Sequence, residues 1–311
     1  MKIAISLAAL AAALVATPVL AQAAPAAAPT AAEAEAFLTK AEKALFDQSI
    51  ISGRAAWINA TYITDDTDAI ASYFGAIDTK QRVDFALEAA KYATAPGLSA
   101  ETRRRLNLLQ TALTLPAPTT AGAAEELNEL ATKLQSAYGK GKGTLKGQPI
   151  NGSDIEEQMG VNRNPQELKE MWVSWHDNVG APMRDDYVKL VGIANAGSKE
   201  LGFADTGAMW RSKYDMPADD FAKLTDKIGA EVKPLYDELH CYTRTKLNEK
   251  YGDAVQPATG PIRADLLGNM WAQEWGNIYD IVAPAGAGDL GYDVTELLTT
   301  KGYDPVKMVK A

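Results

Sequence analysis

Residues 219–242 read DDFAKLTDKIGAEVKPLYDELHCY. Phe221, Leu224, Ile228, Leu235, Leu239 and Tyr242 follow one another in steps of three, four or a double step of seven, the recurrence that puts side chains on one face of an α-helix. Asp219 and Asp220 open the run, where acidic groups are favourable beside the unpaired N–H groups of a first helical turn. Pro234 lies inside it. Because the apolar stripe continues on both sides of the proline, the spacing predicts one long kinked helix.

The same periodicity extends in both directions. Thr30 and Glu33 have capping-box spacing ahead of Phe37, Leu38, Ala41, Leu45 and Trp57, so a first long helix is expected. Asp65 and Asp66 are expected to cap a second, running towards Tyr92 and ended by Pro96-Gly97. Ser99 starts a third, carrying Leu106, Leu109 and Leu113 and stopping near Pro116 and Pro118, and a fourth runs from about Ala123 to Tyr138. The Gly- and Lys-rich stretch Gly139 to Gly147 then reads as a flexible connection, with a linker over 139–149 and a subdomain boundary there. Beyond it, Asn164 and Pro165 form a cap and first-turn pair for a helix with Trp172 and Trp175 on one face. A further helix is expected from Pro182 to Leu201. The only strand possibilities are short ones around Ala258 to Leu266, and there is no internal repeat. The fold class is mostly α.

Composition narrows the function. The chain has 311 residues, 47% apolar and 23% charged, which excludes a disordered or fibrous protein. Lys2 is the only charge before Glu33, so without its first thirty residues the chain has 30 basic against 40 acidic side chains and a net charge of −10. Such a surface does not favour nucleic acid or anionic membranes. The first segment reads as an export signal over 1–23: Lys2 supplies a positive start, Ile3 to Leu20 is apolar and alanine-rich, and Val19-Leu20-Ala21 and Ala21-Gln22-Ala23 fit cleavage sites. A short Ala/Pro tether over 24–32 would follow. Export to a periplasmic or secreted location is expected, and an uncleaved leader would leave the chain membrane-associated.

The residues alone assemble no active site. Lys140 and Lys142 precede glycine and the segment leaves a helix, so the Gly-Lys run does not meet the P-loop pattern. No Gly-x-Ser-x-Gly elbow occurs. His240 and Cys241 are adjacent and so point about 100° apart on a helix, and the lone cysteine is expected to be inert packing in a core-facing stretch. His176 and His240 are the only histidines, and neither lies in His-Glu-x-x-His. The acid pairs Asp65-Asp66, Asp185-Asp186 and Asp219-Asp220 are expected at helix starts, as caps and dipole partners.

Function is legible through a resemblance. The run GPIRADLLGNMWAQEWGNIYD at 260–280 closely resembles a signature of the angiotensin-converting enzyme family, the peptidyl-dipeptidase A zinc peptidases. Further blocks occur in the family's order: Ala56-Trp57 with Asn59, Thr61, Ile63 and Thr64; Arg105-Leu106-Asn107; Trp172 to Trp175; Trp210-Arg211-Ser212 with Tyr214; and Pro234-Leu235-Tyr236 with Leu239-His240 and Tyr242. The resemblance covers about residues 33–311 and implies the N-terminal part of a bacterial member. It implies a helical two-subdomain enzyme with a central channel, in which helices over about 33–138 form a lid and helices over about 150–311 a channel wall. It also implies zinc and chloride as cofactors, oligopeptides as substrates and removal of C-terminal dipeptides.

Carried over position by position, Gln273 matches the glutamine that helps hold the substrate's terminal carboxylate. Tyr214 matches a chloride-site tyrosine with Trp210 as its apolar neighbour, one helical turn earlier, and Arg184 matches the arginine of the other chloride site. Read without the resemblance, Gln273 would be surface decoration on a helix, and Trp210, Trp271 and Trp275 core packing. The family's zinc motif and downstream glutamate ligand lie beyond the last matching segment, so this chain is expected to hold no catalytic residue and no zinc ligand, and to be inactive alone. Asp304 and Pro305 launch a further helix whose apolar face begins with Val306 and Val309. The missing C-terminal half of the domain is the expected partner. The alternative reading is a non-catalytic exported helical peptide-binding protein.

Overall fold

The computed structural model describes residues 28–287 and 294–310, so the expected signal segment over 1–23 and residues 24–27 of the tether over 24–32 lie outside the described residues. Twelve α-helices occur among the described residues, with a single two-stranded sheet. Helix α1 (Ala31–Thr61) starts on the expected capping box. Thr30 Oγ1 accepts from Glu33 N–H and the Glu33 carboxylate accepts from Thr30 N–H at 2.8 Å. The helix therefore takes in Ala31 and Ala32, which the sequence placed in the tether. Helix α2 (Asp65–Tyr92) is capped by Thr64 rather than by Asp65 or Asp66, which sit in its first turn. A threonine hydroxyl one residue earlier reaches Thr67 N–H, and the acids complement the helix dipole instead. Helix α3 (Ala100–Thr111) begins on Ser99 as expected and stops short of Leu113.

These three helices share a core of small side chains: Ala34, Leu38, Ala41, Ala89 and Leu106 are buried, with Phe37 stacked on Tyr92 at 5.3 Å. Arg105 clamps α3 to α1, its Nε and Nη2 each 2.7 Å from the Glu42 carboxylate. Helix α4 (Ala123–Lys140) lies against α2 and packs Leu127, Leu130 and Leu134 onto Leu190 and Ala194 of α7 (Ala181–Glu200).

The stretch expected to be a flexible linker is a β-hairpin. Strand β1 (Lys142–Leu145) pairs antiparallel with β2 (Gln148–Asn151). Its two turn residues, Lys146 and Gly147, both have positive φ, 54° and 73°, the turn whose twist suits a hairpin. The Glu170 carboxylate accepts from both turn N–H groups at 3.0 and 2.8 Å, and Ser174 Oγ accepts from Thr144 N–H at 2.8 Å. Gly143 allows the strand to lie directly on the following helices. A Cβ there would stand 2.8 Å from Ile155 and 2.9 Å from Ser174 Oγ. Glycine content read as flexibility thus reflects close packing. The stretch 258–266, which offered only short strand possibilities, holds a 3-10 turn at Ala264–Leu266 and no strand.

Helices α5 (Gly152–Val161) and α6 (Pro165–Trp175) follow, α6 opening on Asn164 and Pro165 as expected. A π-helical turn, His176–Gly180, joins α6 to α7 without a break. Asp185 and Asp186 are therefore inside a continuous helical run and not at a helix start; Asp186 instead pairs with Lys133 of α4 at 2.6 Å. After the short α8 (Thr206–Arg211), helix α9 (Ala218–Tyr251) runs for 34 residues through Pro234. Its C-terminal end is anchored by Thr243 and Leu247, both fully buried. Its N-terminal two thirds is not: Leu224, Ile228, Val232, Leu235, Tyr236 and Leu239 are all exposed, Leu235 to 73%. The expectation that Cys241 lies in a core-facing stretch is overturned for the same reason, its thiol being exposed. The chain closes with α10 (Tyr279–Val282), α11 (Thr295–Thr300) and α12 (Pro305–Lys310), the last capped by Asp304, whose Oδ1 accepts from Lys307 N–H at 2.7 Å. No helix among the described residues is long and apolar enough to cross a membrane.

Candidate functional site

The segment 260–280 folds back over α6 as an irregular loop. Leu266, Leu267 and Met270 bury themselves in a core with Met171, Trp175 and Leu247. Polar groups then lock the backbone. Arg263 forms a bidentate pair with Asp265 at 3.1 and 2.5 Å and donates to Pro165 O at the start of α6. Asn269 donates to Glu274 O at 2.7 Å and accepts from Trp271 N–H at 2.8 Å, which closes the loop into a tight arch. Gly268, at φ +90°, sits where a Cβ would strike Asn277.

The arch carries Trp271 and Gln273 outward and holds Trp275 half-buried against the core, its indole N–H donating to Ala272 O at 3.0 Å. Gln273 is exposed and lies in non-helical backbone, not on a helix as its surroundings in the sequence implied. Ala272 beside it has φ +53°, a left-handed conformation unusual for a residue with a Cβ. The Gln273 carboxamide makes no hydrogen bond among the described residues. Trp271 and Trp275, two positions to either side, lead to separate aromatic groups. Trp271 stacks on Tyr138 at 6.1 Å and meets His176 edge-on at 6.1 Å. Trp275 lies 6.1 Å from Tyr236 and 6.3 Å from His240, on the uncovered side of α9. The expectation of core packing fails in part: Trp210 and Trp271 are 46% and 42% exposed, because their rings edge a surface.

Each neighbour is held in place. Trp172 donates its indole N–H to Met270 O at 3.1 Å, and His176 stacks on the Trp172 ring at 3.9 Å. His176 Nδ1 lies 2.7 Å from Trp172 O, a carbonyl that can only accept, so Nδ1 is the donor in that hydrogen bond. Arg244 spans from Ala258 O and Gly260 O to within 3.5 Å of His240 Nδ1. Burial pushes the Tyr138 hydroxyl up from its ordinary range, with the nearby Glu156 charge adding to it. Tyr138 and His176 were not among the sequence-derived candidates. The signal for His176 is the one-residue surplus that turns 176–180 into a π turn, a feature frequent at functional sites but invisible in apolar spacing.

The remaining candidates are dispersed. Tyr214 lies beyond the end of α8 in a turn, not one helical turn from Trp210 on the same helix; it stacks on Phe221 at 3.8 Å. Trp210 donates its indole N–H to Thr114 O at 2.6 Å. Arg184 is exposed on α7 and forms no ion pair among the described residues. No hydrogen bond, ion pair or ring contact joins Gln273, Tyr214 and Arg184 to one another among the described residues. Nor does any group of three His, Cys, Asp or Glu side chains there lie close enough to hold a metal ion. The zinc implied by the resemblance does not fit the residues described, and no chemical step is assigned to it.

A helical array with one polar-locked loop, presenting a free carboxamide between two indoles, defines a helical protein with an open aromatic face. The profile of the Peptidase_M2 family, described as angiotensin-converting enzyme, matches residues 28–311, and the chain belongs to that family. It is 32% identical over 282 residues to the angiotensin-converting enzyme of Haematobia irritans exigua, covering 88% of this chain and 45% of that protein. It is 30% identical over 282 residues to that of Mesocricetus auratus, covering 89% of the chain and 21% of that protein, and 32% identical over 262 residues to that of Bos taurus, covering 82% and 19%. The chain thus spans less than half the length of these relatives.

Proposed function

We propose that this chain is the N-terminal portion of an exported bacterial zinc peptidyl-dipeptidase, which removes C-terminal dipeptides from oligopeptides, and that it is inactive by itself. Membership of the peptidase family supports the general function. The observation that carries the finer reading is the placement of Gln273 on a rigid arch with its carboxamide unspent. An amide N–H can donate to a substrate carboxylate without burying a competing charge, a bond to an ionised acceptor worth about 1.5–3 kcal/mol. The flanking indoles supply apolar surface for the adjacent peptide side chains. Helices α1 to α4 would form the lid, the hairpin the boundary, and α5 onward the channel wall. Tyr214 with Trp210, and separately Arg184, are proposed chloride positions, and zinc would be supplied by the missing C-terminal half of the domain.

The exposed apolar row on α9 favours this reading over a self-sufficient peptide-binding protein, since a finished surface rarely leaves six large apolar side chains of one helix uncovered. The decisive experiment incubates the purified chain with a blocked tripeptide and zinc and follows dipeptide release by mass spectrometry. No release is expected; zinc-dependent release from the pure chain overturns the proposal. Export is tested in the same preparation, where the mature N-terminus should be Gln22 or Ala24, and an intact Met1 in the exported protein would refute it.

A further inference from the structure

A groove of about 710 Å³ runs between α2 and α4, outside the site just described. Its walls are one face of each helix, from Asp65 to Lys80 on α2 and from Glu125 to Lys140 on α4. The two helices are antiparallel: Lys140 at the end of α4 lies 3.5 Å from Asp65 and from Asp68 at the start of α2. Each wall spans sixteen residues, and fifteen steps at a rise of about 1.5 Å give a trough about 22 Å long. Its floor is small, with Ala69, Ala76 and Ala137, so a cylinder of main chain can approach closely. Tyr73 and Ile77, 64% and 38% exposed, stand in it as apolar knobs. Two antiparallel helices presenting matched faces in this way form the seat of a third helix.

Charge on the rim specifies the occupant. All three lysines of the groove are spent inside the chain: Lys80 on Asp84 at 2.8 Å, Lys133 on Asp186 at 2.6 Å, and Lys140 on Asp65 and Asp68. Glu125 and Glu129, one turn apart on the α4 wall, form no ion pair among the described residues. The exposed apolar face of α9 in a second copy is a poor match, because its lysines are already spent, Lys223 on Asp220 at 3.0 Å, Lys227 on Glu231 at 3.8 Å and Lys233 on Asp237 at 2.7 Å, while Glu238 beside them forms no ion pair among the described residues and would confront those carboxylates. We propose that the groove binds an amphipathic helix of a partner polypeptide, about four turns long, with its apolar face on Tyr73 and Ile77. Two Lys or Arg one turn apart on that helix meet Glu125 and Glu129. This interaction does not depend on the peptidase reading and stands or falls separately from it.

The test titrates the full chain into three fluorescein-labelled 16-residue probes with one Leu/Ala face: one flanked by lysines at i and i+4, one by glutamates, and one lysine-flanked with a central proline. Anisotropy should show micromolar binding of the lysine probe, at least 30-fold weaker binding of the glutamate probe, and loss of binding on proline interruption. The double variant E125K/E129K should reverse the preference. E231K/E238K on α9, which changes net charge by the same amount, should leave it intact. Circular dichroism checks that both variants, altered only at exposed positions, remain folded. Equal affinity for the two charged probes, no binding below millimolar concentration, or equal weakening by both double variants overturns the proposal. So does sedimentation-detected self-association that E125K/E129K abolishes, which would make the occupant a second copy.

Discussion

Helix α9 offers an internal comparison that tests how the chain distributes its stability. Leu247 and Leu235 lie on the same helix, twelve positions apart, with 0% and 73% of their surfaces exposed. Replacing leucine by alanine removes three carbons, a transfer term of about 2.4 kcal/mol at about 0.8 kcal/mol per methylene when burial is complete. At position 247 the surrounding side chains include Met171, Trp175 and Leu266, so the vacated space adds a cavity term. Leu247→Ala is therefore expected to cost about 3–5 kcal/mol. At position 235 only about a quarter of the surface is covered, which scales the transfer term to about 0.6 kcal/mol, and no cavity forms. Alanine's better helix propensity offsets part even of that. Urea unfolding of the two variants, followed by circular dichroism at a protein concentration low enough to keep the chain monomeric, measures both. Equal losses at the two positions would refute the reasoning, because they would mean that the outer face of α9 is covered in the folded chain.

Two further outcomes follow from the hairpin and the α1–α3 clamp. Gly143→Ala forces a Cβ against Ile155 and Ser174, and overpacking of this kind costs about 1–3 kcal/mol; amide exchange should quicken in β1 and β2 first, and unchanged exchange would contradict the close approach. The Arg105 hydrogen bonds, aided by the guanidinium charge and opposed by burial, hold the Glu42 carboxyl below its ordinary range. A lowered folded-state pKa gives stability that is complete above the unfolded value, about 4.3, and is lost as pH falls through the folded one. Glu42→Gln should therefore show a deficit of up to about 1 kcal/mol at pH 7 that fades in strong acid, measured as the difference in urea midpoint; a deficit independent of pH would exclude the ion pair as its source.

The helices were legible because their signals are local. Thr30 with Glu33, Ser99, Asn164 with Pro165, and Asp304 with Pro305 all mark real helix starts, since a cap is decided by atoms within a few residues. Local competition also explains the misplaced cap of α2, where Thr64 offers a hydroxyl one position before the aspartates. The hairpin was not legible. Gly139 to Gly147 has the composition of a linker, and only Glu170 and Ser174, more than twenty residues away, turn its N–H groups into an ordered turn.

For the candidate site, the sequence by itself identified the family through 260–280 and placed Gln273 within it. Helix type, most helix starts and the absence of His-Glu-x-x-His also follow from sequence alone, because each depends on neighbours in the chain. Only the tertiary structure decided that Gln273 rides an arch rather than a helix, that Trp271 and Trp275 lead to different aromatic groups, and that Tyr214 leaves its helix before reaching Trp210's face. It also decided that the apolar stripe of residues 219–242, which reads as a core face, points outward over most of its length. Periodicity states that a helix has an apolar side; what lies against that side is set by residues distant in sequence, and spacing carries no record of them.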